Sequence, residues 1–179
     1  MDRRIWDNMA IDYDKSVENN ESSIIVNYLK REIEILTKIC QKICNSKENC
    51  SIIDMGAGTG RVIFGLDEKL HQNTIQFCGV EISEPMLNYA NQKSQDHKKN
   101  SNIEFLKYDL TDPDLPEYFD SDKTNIVMCL YNTLGVIPSE KRQRFIDNMR
   151  NIAGEKGAVI LTTFNGDNFD FVAPKMYNP

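Results

Sequence analysis

Histidine is nearly absent: the 179 residues hold only His71 and His97. Both stand among polar neighbours, so chemistry built on imidazole has little to draw on here. Long apolar runs are missing too, and nothing approaches the roughly 20 residues needed to span a bilayer. The opening residues, Met1 to Lys15, carry acidic side chains throughout and no apolar segment before a cleavage site. They read as neither a secretory signal nor an organelle transit peptide. Positive charge is in deficit, with 21 Lys and Arg against 27 Asp and Glu, a net charge of -6. The basic runs (Arg3-Arg4, Lys98-Lys99, and Lys141-Arg142 with Arg144) are short and read as solvated surface. A broad, non-specific nucleic-acid interface is disfavoured, although a local RNA contact is not excluded. The five cysteines do not make a zinc site. Cys40, Cys44 and Cys50 cluster in sequence without a histidine beside them, and no metal is expected. Cys78 and Cys129 sit in apolar runs as small buried hydrophobes. A reducing, cytoplasmic location is the expectation.

What is present is ordinary globular material, 40% hydrophobic and 27% charged, enough for one domain with a sizeable core. An amphipathic piece from Arg3 to Ala10 leads through Tyr13 to a longer helical pattern over Glu21 to Cys44. There Ile24, Ile25, Tyr28, Leu29, Ile33, Leu36, Ile39 and Ile43 recur at helical spacing and predict one buried stripe. The period then changes. Short apolar runs at Ser51–Met55, Ile75–Val80, Ile103–Leu106, Ile126–Leu130 and Gly157–Thr163 predict five strands. Helical stretches follow at Phe64–Leu70, from Ser83 onward, and at Lys141–Ile152. Strands apolar on both faces and alternating with helices predict a parallel sheet covered on both sides. Tyr108 to Asp122, with two prolines and five aspartates, predicts a loop with at most a short helix. The expected organisation is one domain: residues 1–45 as a helical cap, and 46–179 as the core.

The strongest motif is Asp54-Met55-Gly56-Ala57-Gly58-Thr59-Gly60 between the first strand and its helix. Glycines there allow unusual backbone dihedrals and close approach of a ligand. The helix start beyond presents unpaired amides, and such turns bind nucleotides at the carboxyl ends of parallel strands. The dinucleotide fingerprint asks for a further glycine where Arg61 stands, with Gly60 one position early, which argues against NAD and FAD. A phosphate-binding Gly-Lys-Ser/Thr loop is absent. Glu81 ends the second strand about 20 residues on, where a carboxylate can accept from both hydroxyls of a ribose.

These residues, together with Gly79-Val80-Glu81-Ile82-Ser83, Pro85-Met86-Leu87, Asp109-Leu110 and the Ile126–Leu130 strand, resemble the class I, Rossmann-like methyltransferases that use S-adenosyl-L-methionine. The resemblance runs from about Trp6 to Phe164. It implies a Rossmann-like three-layer α/β/α sandwich with a mainly parallel sheet, an N-terminal helical cap, and S-adenosyl-L-methionine as cofactor, released as S-adenosyl-L-homocysteine. By the same resemblance Gly56, Ala57, Gly58 and Gly60 form the cofactor loop, and Ile82 and Met86 flank the adenine. Asp109 and the Leu110 amide meet the adenine edge, Asp54 faces the methionine end, and Cys129 closes the fourth strand beside the cofactor. Tyr13, in an Ala-x-x-Tyr-Asp segment, is expected to close the pocket, with Trp6 anchoring the cap.

Acceptor-side contacts in relatives follow the fourth strand, which here reads Cys129-Leu130-Tyr131-Asn132-Thr133-Leu134-Gly135. The Asn-Pro-Pro-Tyr/Phe signature of enzymes that methylate base or glutamine amides is absent. Tyr131 and Asn132, with Tyr13, are the acceptor-side candidates, and no general base is evident. A small-molecule acceptor is the expectation. An RNA or protein acceptor, or a non-catalytic partner subunit, is the alternative, and no membrane partner is expected. The family sheet has seven strands, and Gly166 to Pro179 is too short for the last helix and strands 6 and 7. The core is therefore expected to be truncated after its fifth strand, whose edge the tail or a second copy in a homodimer would cover.

Overall fold

The computed structural model describes residues 3–17, 21–44, 49–70, 74–97 and 102–164. Two helices come first, α1 (Arg3–Ser16) and α2 (Ser23–Cys44), followed by β1 (Cys50–Met55), α3 (Arg61–Leu70), β2 (Ile75–Glu81), α4 (Glu84–Asp96) and β3 (Asn102–Lys107). A single 3₁₀ turn at Leu115–Tyr118 precedes β4 (Thr124–Cys129), a one-turn α5 (Thr133–Val136), α6 (Ser139–Ala153) and β5 (Ala158–Leu161).

The strands form one sheet in the order β3-β2-β1-β4-β5, parallel at every pairing. β1 and β4 lie at its centre and are buried at all six positions each. That explains why their sequences run apolar without alternation. Side chains alternate between the faces all the same. Ile52, Phe77, Ile126 and Met128 join Ile33, Leu36 and Cys40 of α2 and Ile63 and Leu66 of α3 in one core. Ile53, Met55, Val80 and Val127 join Phe145, Met149 and Ile152 of α6 in the other. The predicted three-layer α/β sandwich is what the chain builds.

The stripe predicted for α2 holds at Leu29, Ile33 and Leu36 and fails at its start, where Ile24 is 79% exposed and Tyr28 43%. The reason is length. Twenty-two helical residues span about 33 Å, whereas a six-residue strand spans about 20 Å. The first turns of α2 therefore overhang the carboxyl edge of the sheet. Glu32, Thr37, Cys40 and Cys44 occupy the buried face instead. A disulfide joins Cys44 to Cys50 across a Cα–Cα distance of 5.8 Å, a pairing the spacing did not reveal. Arg142, read from sequence as solvated, caps α5 by donating to the carbonyls of Ile137 (2.9 Å) and Gly135 (3.0 Å).

β5 is an outer strand of the described sheet, with Val159 and Leu161 42% and 41% exposed. The tail expected to cover it, Gly166 to Pro179, lies outside the described residues, as do His71 and Lys98-Lys99. The side chains of Arg3 and Arg4 lie outside them as well. Among the described residues no helix is long and apolar enough to cross a membrane.

Candidate functional site

All the motif residues converge on the carboxyl edge of the sheet, where the chain order reverses between β1 and β4. In open parallel sheets this reversal opens the crevice that receives ligands. The glycine loop is anchored to the neighbouring strand: the amides of Gly56 and Ala57 both donate to the Val80 carbonyl, at 2.8 and 3.1 Å. Gly56 has φ +96°, and a β-carbon there would lie 2.7 Å from Cγ2 of Thr133. Glycine is thus required both for the turn and for the approach of the segment after β4. That contact sets the segment that follows Tyr131 and Asn132 directly against the glycine loop. Gly60 ends the loop, its carbonyl accepting from the Phe64 amide at 3.0 Å in the first turn of α3.

Glu81, at the end of β2, is 7% exposed and held by backbone amides. Ile82 and Ser83 donate to Oε1 at 2.8 and 2.9 Å, and Gly58 donates to Oε2 at 3.0 Å. Burial raises its carboxyl above the ordinary range, and these amides pull it back down. A carboxylate offers about four acceptor directions. Oε1 is therefore filled, while Oε2 keeps one direction for a ligand hydroxyl. Asp109, half-buried after β3, accepts on Oδ1 from the Thr111 amide and hydroxyl, both at 2.8 Å. Its Oδ2 has no hydrogen-bond partner among the described residues. The next carbonyl, of Leu110, accepts from Asn148 at 3.0 Å, which fixes that peptide against α6.

Met86 and Tyr13 both lie over Gly58: a β-carbon there would sit 3.6 Å from Sδ of Met86 and 3.8 Å from Cε1 of Tyr13. α1 thus reaches the glycine loop at Tyr13. Burial raises the Tyr13 phenol strongly, with Arg61 opposing and Tyr131, Asp54 and Glu81 adding to the rise. Ile82 is half-buried beside Glu81, and Ser83 caps α4 by accepting from the Met86 amide at 3.5 Å. Cys129 is fully buried in the core beneath α6, and its carbonyl accepts from the Thr162 amide at 3.0 Å.

After β4, Tyr131 and Asn132 have φ +52° and +65°. Left-handed backbone is tolerable for asparagine and uncommon for tyrosine, so this turn stores local strain. The turn is held by the Thr162 hydroxyl, which accepts from the Tyr131 amide at 2.9 Å, and by the Asn132 side chain packed over Gly135. The Tyr131 ring lies 6.3 Å from that of Tyr28 and 5.6 Å from that of Phe164. An aromatic rim therefore lines this side of the crevice.

Beneath the rim is a group of charges that the motifs did not announce. Asp54 is 3% exposed and, two residues after Ile52, faces the α2–α3 side of β1. Arg61 donates to Glu32 Oε2 at 2.6 Å, and Tyr28 donates to Glu32 Oε1 at 3.1 Å. Burial pushes the Asp54 carboxyl up to about 7; the Arg61 charge lowers it, while Glu32 and Glu81 raise it further. Burial and the Glu32 charge push the Tyr28 phenol up to about 12. Two sequence signals could have found this group: Glu32 interrupts the apolar stripe of α2, and Arg61 stands where another cofactor class keeps glycine. His97, the described histidine, lies elsewhere. It pairs with Asp67 at 2.6 Å and packs its ring on Phe64.

Comparison with known proteins agrees with this geometry. A family model described as a methyltransferase domain matches residues 52–157. Carboxy-S-adenosyl-L-methionine synthase of Desulfotalea psychrophila is 31% identical over 86 residues, which are 48% of this chain and 34% of that protein. A methyltransferase structure from Clostridium acetobutylicum, described as S-adenosylmethionine-dependent, superposes with a TM-score of 0.65 at 16% identity, covering 94% of this chain and 61% of that one. The magnesium protoporphyrin IX methyltransferase of Synechocystis PCC 6803 gives 0.65 at 17% identity, covering 98% and 86%. The chain spans about a third of the length of the first of these relatives and 61% of the second. With its motif strands, its sheet order and a family match over more than half its length, the chain belongs to the methyltransferase domain family and has the class I, Rossmann-like fold.

Proposed function

We propose that this chain binds S-adenosyl-L-methionine at the carboxyl edge of its sheet and transfers the methyl group to a small-molecule acceptor. The observation that carries the reading is Glu81: a buried carboxylate at the end of β2, oriented by three backbone amides, with one acceptor direction left on Oε2 above the glycine loop. The residues fit the cofactor. Glu81 takes a ribose hydroxyl, the second hydroxyl exchanging with the Gly58 amide. Ile82 and Met86 flank the adenine, and Asp109 Oδ2 accepts from the adenine amino group. Asp54 faces the amino-acid end, and Gly56, Ala57, Gly58 and Gly60 let the backbone approach.

The bound sulfonium supplies an already activated methyl group, so the work of this chain is to position the acceptor and exclude water. Tyr13 covers the loop, and Tyr131 and Asn132 present the acceptor from the strained turn after β4. The confined rim of Tyr28, Tyr131 and Phe164 and the net charge of -6 favour a small acceptor over a nucleic-acid duplex. The name of the Desulfotalea relative keeps chemistry on the cofactor itself in view.

Calorimetric titration with S-adenosyl-L-homocysteine tests the cofactor site. Micromolar binding that is lost in Glu81→Ala supports it, and no heat from well-folded protein overturns it. Cofactor turnover stimulated by metabolite fractions supports the small acceptor. Stimulation by tRNA or protein alone replaces it with a macromolecular one.

A further inference from the structure

Three cysteines meet at the amino edge of the sheet, at the opposite end from the crevice. Cys40 and Cys44 stand one turn apart on the buried face of α2, Cys50 opens β1, and all three belong to the core shared by α2, α3 and the sheet. Cys44 is bonded to Cys50, and Cys40 is free. The bond spans a sequence separation of only 6. So short a loop gains little chain entropy from closure, and the main effect of the bond is therefore local. It fastens the end of α2 to the start of β1. Nearer its other end the same helix is held at the crevice. Glu32 accepts from Arg61 at 2.6 Å, Tyr28 donates to Glu32 at 3.1 Å, and the Tyr28 ring lies 6.3 Å from that of Tyr131. Glu32 and Cys44 are 12 helical residues apart, about 18 Å along a rigid axis.

The two bonded sulfurs are not equivalent. Cys44 is the last residue of α2, where helices fray. Cys50 is locked between Ile75 and Thr124 of the two neighbouring strands. Cys44 is thus the thiol that can open toward solvent. Cys40 does not compete, because burial pushes its thiol up to about 12 and leaves little thiolate. We propose that Cys44 and Cys50 form a reversible thiol–disulfide switch that sets how firmly α2 is held beside the ligand crevice. The oxidant is a small disulfide such as glutathione disulfide. The Cys44 thiolate attacks one of its sulfurs, breaking that S–S bond and releasing one glutathione thiolate. The Cys50 thiolate then attacks the Cys44 sulfur of the mixed disulfide and releases the second. The two cysteines lose two electrons and two protons, which leave on two molecules of glutathione, and reduction runs the same steps backward. The inference goes beyond the cofactor reading and adds regulation to the helix that flanks its site.

The test equilibrates the full chain in glutathione buffers of graded ratio, traps free thiols by alkylation and counts the Cys44–Cys50 pair by mass spectrometry. The pair passes from dithiol to disulfide across the series and reaches the same fraction from either direction. In the reduced form, amide exchange over the second half of α2 speeds up by about tenfold or more. S-adenosyl-L-homocysteine then binds about fivefold or more weakly in calorimetry, and by linkage saturating amounts of it favour the disulfide by the same factor. Cys40→Ala keeps the whole response. Cys44→Ala, its folding checked by circular dichroism, shows the reduced exchange and affinity in every buffer. A pair that stays a dithiol in the most oxidising buffer, or a disulfide in the most reducing one, overturns the switch. Equal exchange in the two forms, or an affinity that ignores the redox state, also overturns it. A chain that binds no S-adenosyl-L-homocysteine in either form removes the cofactor reading instead, and the thiol count and the α2 exchange still decide the switch.

Discussion

The Thr59 hydroxyl in the glycine loop donates to Oδ1 of Asp14 on α1 at 2.5 Å. The other oxygen of that carboxylate meets Lys93 of α4, also at 2.5 Å, and Ser83 at the start of α4 donates to Asp7 at 2.7 Å. α1 is thus pinned along its length to the loop and helix that frame the site, with Tyr13 between the pins. Six of the fourteen α1 residues are apolar, with Ala10 buried, and these polar ties add to that packing in placing the helix.

Asp14→Ala should loosen α1 without unfolding the sheet. Loss of the Thr59 bond and the part-exposed Lys93 pair should destabilise the fold by about 1 kcal/mol. Amide exchange over α1 should speed up, and S-adenosyl-L-homocysteine should dissociate faster. Exchange that stays unchanged in α1 would show that packing, not Asp14, holds it.

Glu81→Gln keeps the size of the side chain and gives up its charge. Three backbone amides then lose a charged acceptor, and one amide nitrogen is turned toward them. A stability loss of about 1–3 kcal/mol is expected in denaturant melts, with ligand affinity falling more than tenfold. Loss of affinity at full stability would show that the ribose contact outweighs the internal amide bonds.

The pH dependence should follow Asp54. Its carboxyl, 3.8 ordinarily, sits at about 7 when folded. The folded state therefore holds a proton that the unfolded state releases between those values. The stability this group contributes is complete below pH 3.8 and lost as pH rises through about 7. Asp54→Asn should flatten that slope and be the more stable protein at pH 8, by up to about 4 kcal/mol. Affinity for the ammonium-bearing ligand should run the other way, rising toward pH 8 in the native chain and staying flat in the variant. Parallel slopes in native and variant chains would assign the titration elsewhere.

Gly56→Ala meets two obstacles, the positive φ and the Thr133 side chain. A destabilisation of about 1–3 kcal/mol or more is expected. Thr133→Ala in the same chain should recover the part due to the clash and leave the part due to φ. Full recovery would show that φ +96° carries no cost at this position.

Much of this was legible in one dimension. The apolar runs of β1 and β4 announced buried central strands, and the loop from Asp54 to Gly60 with Glu81 after it announced the candidate site. Helix boundaries were less legible. α1 extends past Ala10 to Ser16, and α2 buries Glu32 while exposing Ile24. Periodicity reports which residues share a face, but not how far the helix outruns the sheet it covers. The pairing of Cys44 with Cys50 was equally hidden, since it depends on how closely α2 returns to β1.

The sequence by itself determined the strands, their parallel arrangement through helical crossovers, and the glycine loop that no bulkier residue could form, because these follow from local propensity and side-chain period. Only the tertiary structure decided that Arg61 and Tyr28 meet on the buried Glu32 and that α1 reaches the loop. Those contacts join residues 29 and 45 positions apart, at Arg61–Glu32 and Thr59–Asp14, and no periodic pattern encodes a meeting of single side chains at that range. Their energies depend on burial, which exists only once the layers have closed.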